Sequence, residues 1–309
     1  MPLKLAIISP CVSLSGRRFG LAAINRIAFC ARPKAMSTQR SGHLERTAQE
    51  PRDESLLDVR LERIDQVNER IRLYRLKLES GPIKFLAGQW LDTYIPGNPK
   101  PGGFTLTSTP RAAADPKSPY LELAVQESPE NPPAAWLWQS PSDITGSKLQ
   151  VRVGGSFVFP PSEIPLNDIS HVVFVAGGVG INPLVSMMGH IAEEGYNLEV
   201  KVLYASKLPA QGLKGVLFLE RIRKWFTEKE LIGDLKVFTT GIHDGHIESR
   251  ELDVHERRFT VEDVKEAMGE KNNSVVYVCG PATMTDEIVD GLTRDGGMDK
   301  NRVMLEKWW

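Results

Sequence analysis

The stretch His171–Met188, HVVFVAGGVGINPLVSMM, constrains the fold more than any other part of the chain, because it reads as a buried strand, a glycine turn and the opening of a helix. The apolar run Val172 to Ala176 is rich in β-branched residues and suits a parallel strand covered on both faces. Gly177, Gly178 and Gly180 let the chain turn without a Cβ in the way, so that backbone N–H groups approach a ligand closely. Pro183 is expected at the first helical position, where its missing N–H has no intrahelical partner to lose. Leu184, Met187, Met188 and Ile191 follow at three- and four-residue spacings on one apolar face. A helix N-terminus leaving such a turn favours a pyrophosphate. The glycines spell GxGxxP rather than the three-glycine dinucleotide fingerprint, so this pattern alone leaves open a turn that serves topology only.

Downstream, strands and helices alternate. The helix Pro183 to Glu194, ended by Gly195, precedes a strand Leu198 to Tyr204, a helix Leu217 to Phe226 and a strand Lys236 to Thr239. A helix Val261 to Met268, a strand Ser274 to Cys279 and a helix Met284 to Leu292 complete the series. Such a succession marks a doubly wound parallel sheet. Upstream, between Leu57 and Phe159, the period is two instead: Tyr74, Leu76 and Leu78 alternate with Arg75, Lys77 and Glu79, and YLELAVQ over Tyr120–Gln126 reads alike. Short strands spaced by PG, GG and PP signals predict an antiparallel β-barrel. The proline-rich PPSEIP, Pro160–Pro165, is a natural linker between the two. The fold class expected is therefore β followed by α/β: a barrel over 50–163 and a doubly wound sheet over 167–309.

The segment YVCGPATM, Tyr277–Met284, places a second turn at the end of a later strand. In open α/β sheets ligands bind at the carboxyl ends of the strands, so Gly178 and Gly280 are expected to face one crevice. Two glycine turns in this order are a stronger signal than either alone.

The 309 residues carry a formal net charge of -1, which argues against a general nucleic-acid binder. The basic exception is the start of the chain. Met1 to His43 contains no Asp or Glu but holds Lys4, Arg17, Arg18, Arg26, Arg32, Lys34 and Arg40 among Ser, Ala and Leu. That composition fits a mitochondrial transit peptide over 1–44, with a disordered basic tail as the alternative. No run of about 18 apolar residues offers a membrane span. Of the three cysteines, Cys11 and Cys30 lie in the basic segment, which leaves Cys279 and excludes a disulfide framework or a four-cysteine iron–sulfur centre. No metal set is expected: His243 and His246 read as loop histidines with no cysteine nearby.

With both turns in view, the chain resembles the ferredoxin–NADP reductase family from Leu57 to the C-terminus. The family's nicotinamide domain carries a GGxGxxP loop and a CGPxxM turn, here Gly177 to Pro183 and Cys279 to Met284. AGQW, Ala87–Trp90, is similar to the family's GQ-aromatic strand, and GGFTLTSTP, Gly102–Pro110, to its flavin-binding RxYS segment. The terminal EKWW, Glu306–Trp309, resembles the acidic and aromatic ending of many members. The chain departs from the pattern where Gly102 replaces the arginine that pairs with the flavin pyrophosphate, Phe104 the tyrosine and Thr105 the serine. Either Lys100 or Arg152 substitutes for that arginine, or flavin binding is weakened. A second flavin loop falls on Asn131 to Ala134 without its glycine and hydroxyl residue, leaving its backbone to serve.

What the resemblance implies is a flavin-dependent NAD(P)H oxidoreductase with FAD and NAD(P)H as cofactors, passing electrons to an acceptor, which can be a protein. The pyrophosphate of NAD(P)H would lie on Gly177, Gly178, Val179, Gly180, Ile181, Asn182 and Pro183, with Cys279, Gly280, Pro281 and Met284 beside the nicotinamide. Gly102, Phe104, Thr105 and Thr107 would face the flavin, and Trp308 or Trp309 would shield a ring by stacking. Thr105, Cys279 and Glu306 are the candidate catalytic residues, holding nicotinamide C4 within about 3 to 3.5 Å of flavin N5. Lys207, after the strand Leu198 to Tyr204, leans toward NADPH. The rivals are a non-catalytic nucleotide-binding or assembly protein that keeps the fold, and a dehydrogenase using the nicotinamide domain alone. The second would need a catalytic Tyr/Lys or His, and Tyr277, inside a strand, is poorly placed.

Overall fold

A computed structural model of the chain describes residues 42–240, 252–269, 273–294 and 297–308. Nearly all of the basic segment, the loop with His243 and His246, and Trp309 lie outside them, as does the side chain of Trp308.

In chain order the first part holds α1 (His43–Arg46), β1 (Leu57–Asn68), β2 (Ile71–Leu78), β3 (Trp90–Tyr94), β4 (Gly102–Thr105), α2 (Pro110–Ala114), β5 (Tyr120–Gln126), α3 (Pro132–Leu137), α4 (Pro141–Ile144) and β6 (Lys148–Gly154). The six strands pair in the order β4-β3-β6-β1-β2-β5, every pair antiparallel. A bridge between Leu106, just past β4, and Leu123 of β5 joins the two edges and closes the barrel. Alternation sends Tyr74, Leu76 and Leu78 inward with Leu91, Leu121 and Val151, and the Tyr74 hydroxyl donates to the Leu137 carbonyl at 2.7 Å.

The second part holds β7 (His171–Gly177), α5 (Ile181–Glu194), β8 (Glu199–Lys207), α6 (Leu219–Thr227), β9 (Ile232–Thr240), β10 (Asp253–His255), α7 (Val261–Met268), β11 (Ser274–Pro281), α8 (Ala282–Thr293) and β12 (Val303–Trp308). These strands form a parallel sheet in the order β10-β9-β8-β7-β11-β12. The continuous apolar run of β7 follows from burial on both faces: Val172, Phe174 and Ala176 pack into one core, Val173 and Val175 into the other. From β7 the chain steps outward through β8, β9 and β10, then returns to the other side of β7 as β11. The switch point, and hence the crevice, falls at the carboxyl ends of β7 and β11.

Two elements depart from the sequence reading. Helix α5 starts at Ile181, after a 3-10 turn over Gly178–Gly180, so Pro183 is its third residue rather than its first. The position is still tolerant, because none of the first four N–H groups of a helix has an intrahelical acceptor. Glu306–Trp308, to which the sequence reading assigned no secondary structure, belong to β12 and pair with β11; short segments such as β10 and β12 take their strand character from a neighbour that period alone does not reveal.

Buried hydrogen bonds tie barrel to sheet. Tyr277 of β11 donates to Val158 O at 2.8 Å, Asn68 Nδ2 to Gly215 O at 2.8 Å, and Ser186 Oγ of α5 to Ser108 O at 2.7 Å. The Tyr277 hydroxyl is thus engaged in holding the barrel to the sheet.

Candidate functional site: two glycine turns and the end of a barrel strand

The two glycine turns pack against each other. A Cβ on Gly180 would stand 2.2 Å from the carbonyl oxygen of Cys279, and one on Gly280 would stand 2.6 Å from Met284 Cε and 3.1 Å from the backbone of Gly177. At Gly177 a Cβ would meet Met284 Sδ at 2.7 Å. These glycines therefore serve turn-to-turn contact, where the sequence reading assigned their bareness to the ligand. Gly178 is different: its φ is +57 and nothing lies within 4 Å of the Cβ position, so it alone both needs glycine for conformation and leaves its face open. Ile181 and Pro183 are buried in the core, so only their backbones remain at the turn, and Val179 is partly buried against the same core. Pro281 is exposed at the start of α8, and Lys207 is exposed at the end of β8.

Asn182 points away from the turn. Its Nδ2 donates 2.9 Å to the Ala124 carbonyl of β5, and its buried Oδ1 has no hydrogen-bond partner among the described residues. It ties α5 to the barrel.

Register places the two candidate catalytic residues of the sheet side by side: Cys279 of β11 is opposite Glu306 of β12 and Ala176 of β7. Cys279 is fully buried. Burial, and then the charge of Glu50, pushes the Glu306 carboxyl up to about 8, and its Oε2 is buried with no hydrogen-bond partner among the described residues. Glu50 is itself fixed by Ser156, whose N–H and hydroxyl donate to it at 3.0 and 2.6 Å. At neutral pH Glu306 thus carries a proton it can donate. Across the interface, Thr105 ends β4 at 2% exposure, and its hydroxyl also lacks a partner among the described residues. Three residues on, Ser108 accepts the bond from Ser186, so the end of β4 is docked on the helix that leaves the first glycine turn.

The other end of β4 is filled. A Cβ on Gly102 would come within 2.6 Å of the Phe104 ring and 2.7 Å of Pro133 Cβ, and Phe104 packs into the barrel core at 8% exposure. An arginine has no room there. Helix α3 opens with Pro132 and Pro133, neither of which has an N–H to offer a phosphate, while Ala135 N–H bonds to Asn131 O. Of the loop's backbone, the two prolines thus offer no donor. Of the two substitute cations, Arg152 is engaged, donating through Nε and Nη2 to Asp92 at 3.0 and 2.6 Å, while Lys100 is exposed and makes only a surface pair with Glu45 at 3.6 Å. The buried, unpartnered hydroxyl of Thr105 and the acid of Glu306 suit the polar edge of a flavin ring, whereas Gly102, Pro132 and Pro133 do not suit the pyrophosphate of a flavin dinucleotide.

Thr107 is also redirected. Its hydroxyl donates 2.9 Å to Glu122, which takes two bonds from Arg221 of α6, beside a cleft of about 350 Å³ that Trp225 also lines. Sequence reasoning missed Asp92, which is wholly buried and receives His43 at 2.8 Å, Arg52 at 3.1 Å and Arg152. Burial alone would raise its carboxyl, but hydrogen bonds from His43 and Arg152 and the charge of Arg52 hold it below the usual range. The signal for this cluster was an acid in the middle of the apolar strand WLDTY, opposed to an arginine on β6. Among the described residues no group of three or more His, Cys, Asp or Glu is placed to hold a metal, and no helix is long and apolar enough to cross a membrane.

A barrel joined to a parallel sheet with two apposed glycine turns at its switch point is a ferredoxin–NADP reductase-like fold. The profile of the oxidoreductase NAD-binding domain matches residues 174–290. Oxidoreductase NAD-binding domain-containing protein 1 of Xenopus laevis is 33% identical over 305 residues, covering 91% of this chain and 90% of that protein. The chain belongs to the family of oxidoreductase NAD-binding domain-containing protein 1. In fold it is similar to a ferredoxin NADP+ reductase from Neisseria gonorrhoeae with bound FAD and NADP, at TM-score 0.62 and 14% identity over 83% of this chain and all of that one. It is also similar to a flavohemoglobin from Malassezia yamatoensis with bound FAD and heme, at TM-score 0.63 and 17% identity over 86% of this chain and 63% of that one.

Proposed function

We propose that this chain is an NAD(P)H oxidoreductase in which a nicotinamide held at the two glycine turns gives up hydride to a flavin ring at the end of β4, with the electrons leaving to a separate acceptor. The observation that carries this reading is the set of buried, unpartnered polar atoms on the two sides of the interface, Thr105 Oγ1 on β4 and Glu306 Oε2 on β12, the latter beside Cys279. An unpaired buried polar atom is costly, and polar groups of a bound ligand would relieve that cost.

The open face at Gly178 and the start of α5 would receive the nucleotide pyrophosphate. Cys279 would form a small, polarisable wall for the nicotinamide and needs no thiolate for this. Glu306, holding its proton at neutral pH, would donate a hydrogen bond or a proton beside that ring. Thr105 would donate from its hydroxyl to the acceptor ring. A flavin, when bound, supplies an N5 that accepts hydride. Lys207 supports a preference for NADPH. Since residues beyond Cys30 include a single cysteine, a second redox centre of iron–sulfur type is not built from this chain, which supports an external acceptor. The basic, acid-free start of the chain supports a mitochondrial location.

The test is anaerobic stopped-flow mixing of the full chain, supplied with excess flavin, against NADPH and NADH. Bleaching of the flavin band faster than in protein-free controls is expected; bleaching at the control rate would falsify the reductase reading. The filled pyrophosphate end of the barrel favours one second reading, a nucleotide-binding protein without catalysis, which that control-rate outcome would support.

A further inference from the structure

We infer that the barrel holds no flavin dinucleotide as a resident group, and that the acceptor ring is an exchangeable flavin recognised through its isoalloxazine and not through its phosphates. This deepens the proposed function and rests on it for the location of the ring. Four observations on β4, α3 and the strands beside them point the same way. Position 102 has no side chain, and its Cβ direction is blocked at 2.6 Å by Phe104 and at 2.7 Å by Pro133. The first two positions of α3 are prolines and donate no N–H. Arg152 and Arg52 both converge on the buried carboxylate of Asp92. Phe104 is packed among barrel core residues rather than standing out from the strand.

Against this filled end, the ring end keeps buried polar atoms without a hydrogen-bond partner among the described residues, at Thr105 and Glu306. A ligand held only there gains little from a ribityl phosphate or an AMP tail. Riboflavin, FMN and FAD should therefore compete as near equals, each leaving after reduction: NAD(P)H, a proton and oxidised flavin give NAD(P)+ and dihydroflavin, the nicotinamide losing the hydride that the flavin gains.

The experiment is fluorescence-quenching titration of the full chain with riboflavin, FMN and FAD, preceded by an absorption spectrum of the protein as purified. The account expects no flavin band after gel filtration and dissociation constants within about threefold of one another, unchanged by Lys100→Ala. Thr105→Val should weaken all three by the same factor. Co-purifying FAD, FAD binding at least tenfold tighter than riboflavin, a loss for FAD alone on Lys100→Ala, or no binding of any of the three would each overturn the inference. Equal binding of the three without NAD(P)H oxidation would instead leave it standing and remove the reductase reading, so the two failures are distinguishable.

Discussion

The turn after β7 and the start of β4 are both glycine-rich, and the structure uses their glycines in opposite ways. At the nicotinamide side, Gly177, Gly180 and Gly280 bring two turns into contact, while Gly178 keeps an open face beside the start of α5. At the barrel side, the missing Cβ of Gly102 is overlaid by Phe104 and Pro133, and that of Gly103 by the His43 ring. A bare backbone is thus a ligand site only where the neighbouring chain stays away; in one region it shapes a crevice, in the other it lets the protein close on itself.

The comparison can be broken first at Asp92. If the outer face of β3 and β4 is held by the protein's own charges, Asp92→Ala leaves Arg52 and Arg152 without their carboxylate, at a cost of about 3–5 kcal/mol. Urea unfolding should show that loss with NAD(P)H affinity unchanged in the folded protein; a stability close to wild type would mean that this face is not held from within. At the other region, Gly180→Ala forces a methyl against the Cys279 carbonyl and should cost about 1–3 kcal/mol. It should also weaken NAD(P)H binding more than tenfold in a fluorescence titration, whereas Gly103→Ala should leave that affinity alone.

Glu306 gives the smallest effect and a signed one. Its carboxyl keeps its proton up to about pH 8 in the folded chain, against 4.5 as the ordinary value. Between these values the unfolded chain binds fewer protons than the folded one, so this residue lowers stability as pH rises through that window. Although Oε2 is buried, the residue as a whole keeps some exposure, so solvent limits the effect, and Glu306→Gln should gain about 1 kcal/mol at pH 8. At pH 4 the two proteins should unfold alike. A Gln variant with the same pH slope as wild type would place the ionised group in water.

Much of this was legible in the sequence, for physical reasons that differ by element. Burial on both faces writes β7 as an unbroken apolar run, and the alternation of β2 writes one inward face, so both strands were read with their surroundings. The helix read over Val261–Met268 matches α7, where the structure adds a Thr260–Asp263 capping box that the reading had not used. What a local pattern cannot carry is a partner distant in the chain. The tie of Asn182 to Ala124, that of Thr107 to Glu122 and the convergence of His43, Arg52 and Arg152 on Asp92 span 58, 15 and 40 to 60 positions. Asn182 and Thr107 therefore looked like ligand contacts. Pro132 and Pro133 were visible throughout, and their missing N–H groups were the sequence signal for a flavin loop poor in donors.

If the two glycine turns suffice for the nicotinamide nucleotide, they should bind it with no flavin dinucleotide in the barrel. Equilibrium titration of the flavin-free full chain with NADPH and NADH, followed by the fluorescence of the reduced nicotinamide, tests it most directly. Saturable binding at one site per chain, with an affinity that added FAD leaves unchanged, is the predicted result. Absence of binding until FAD is supplied would contradict it, because the two regions would then be halves of one cofactor site.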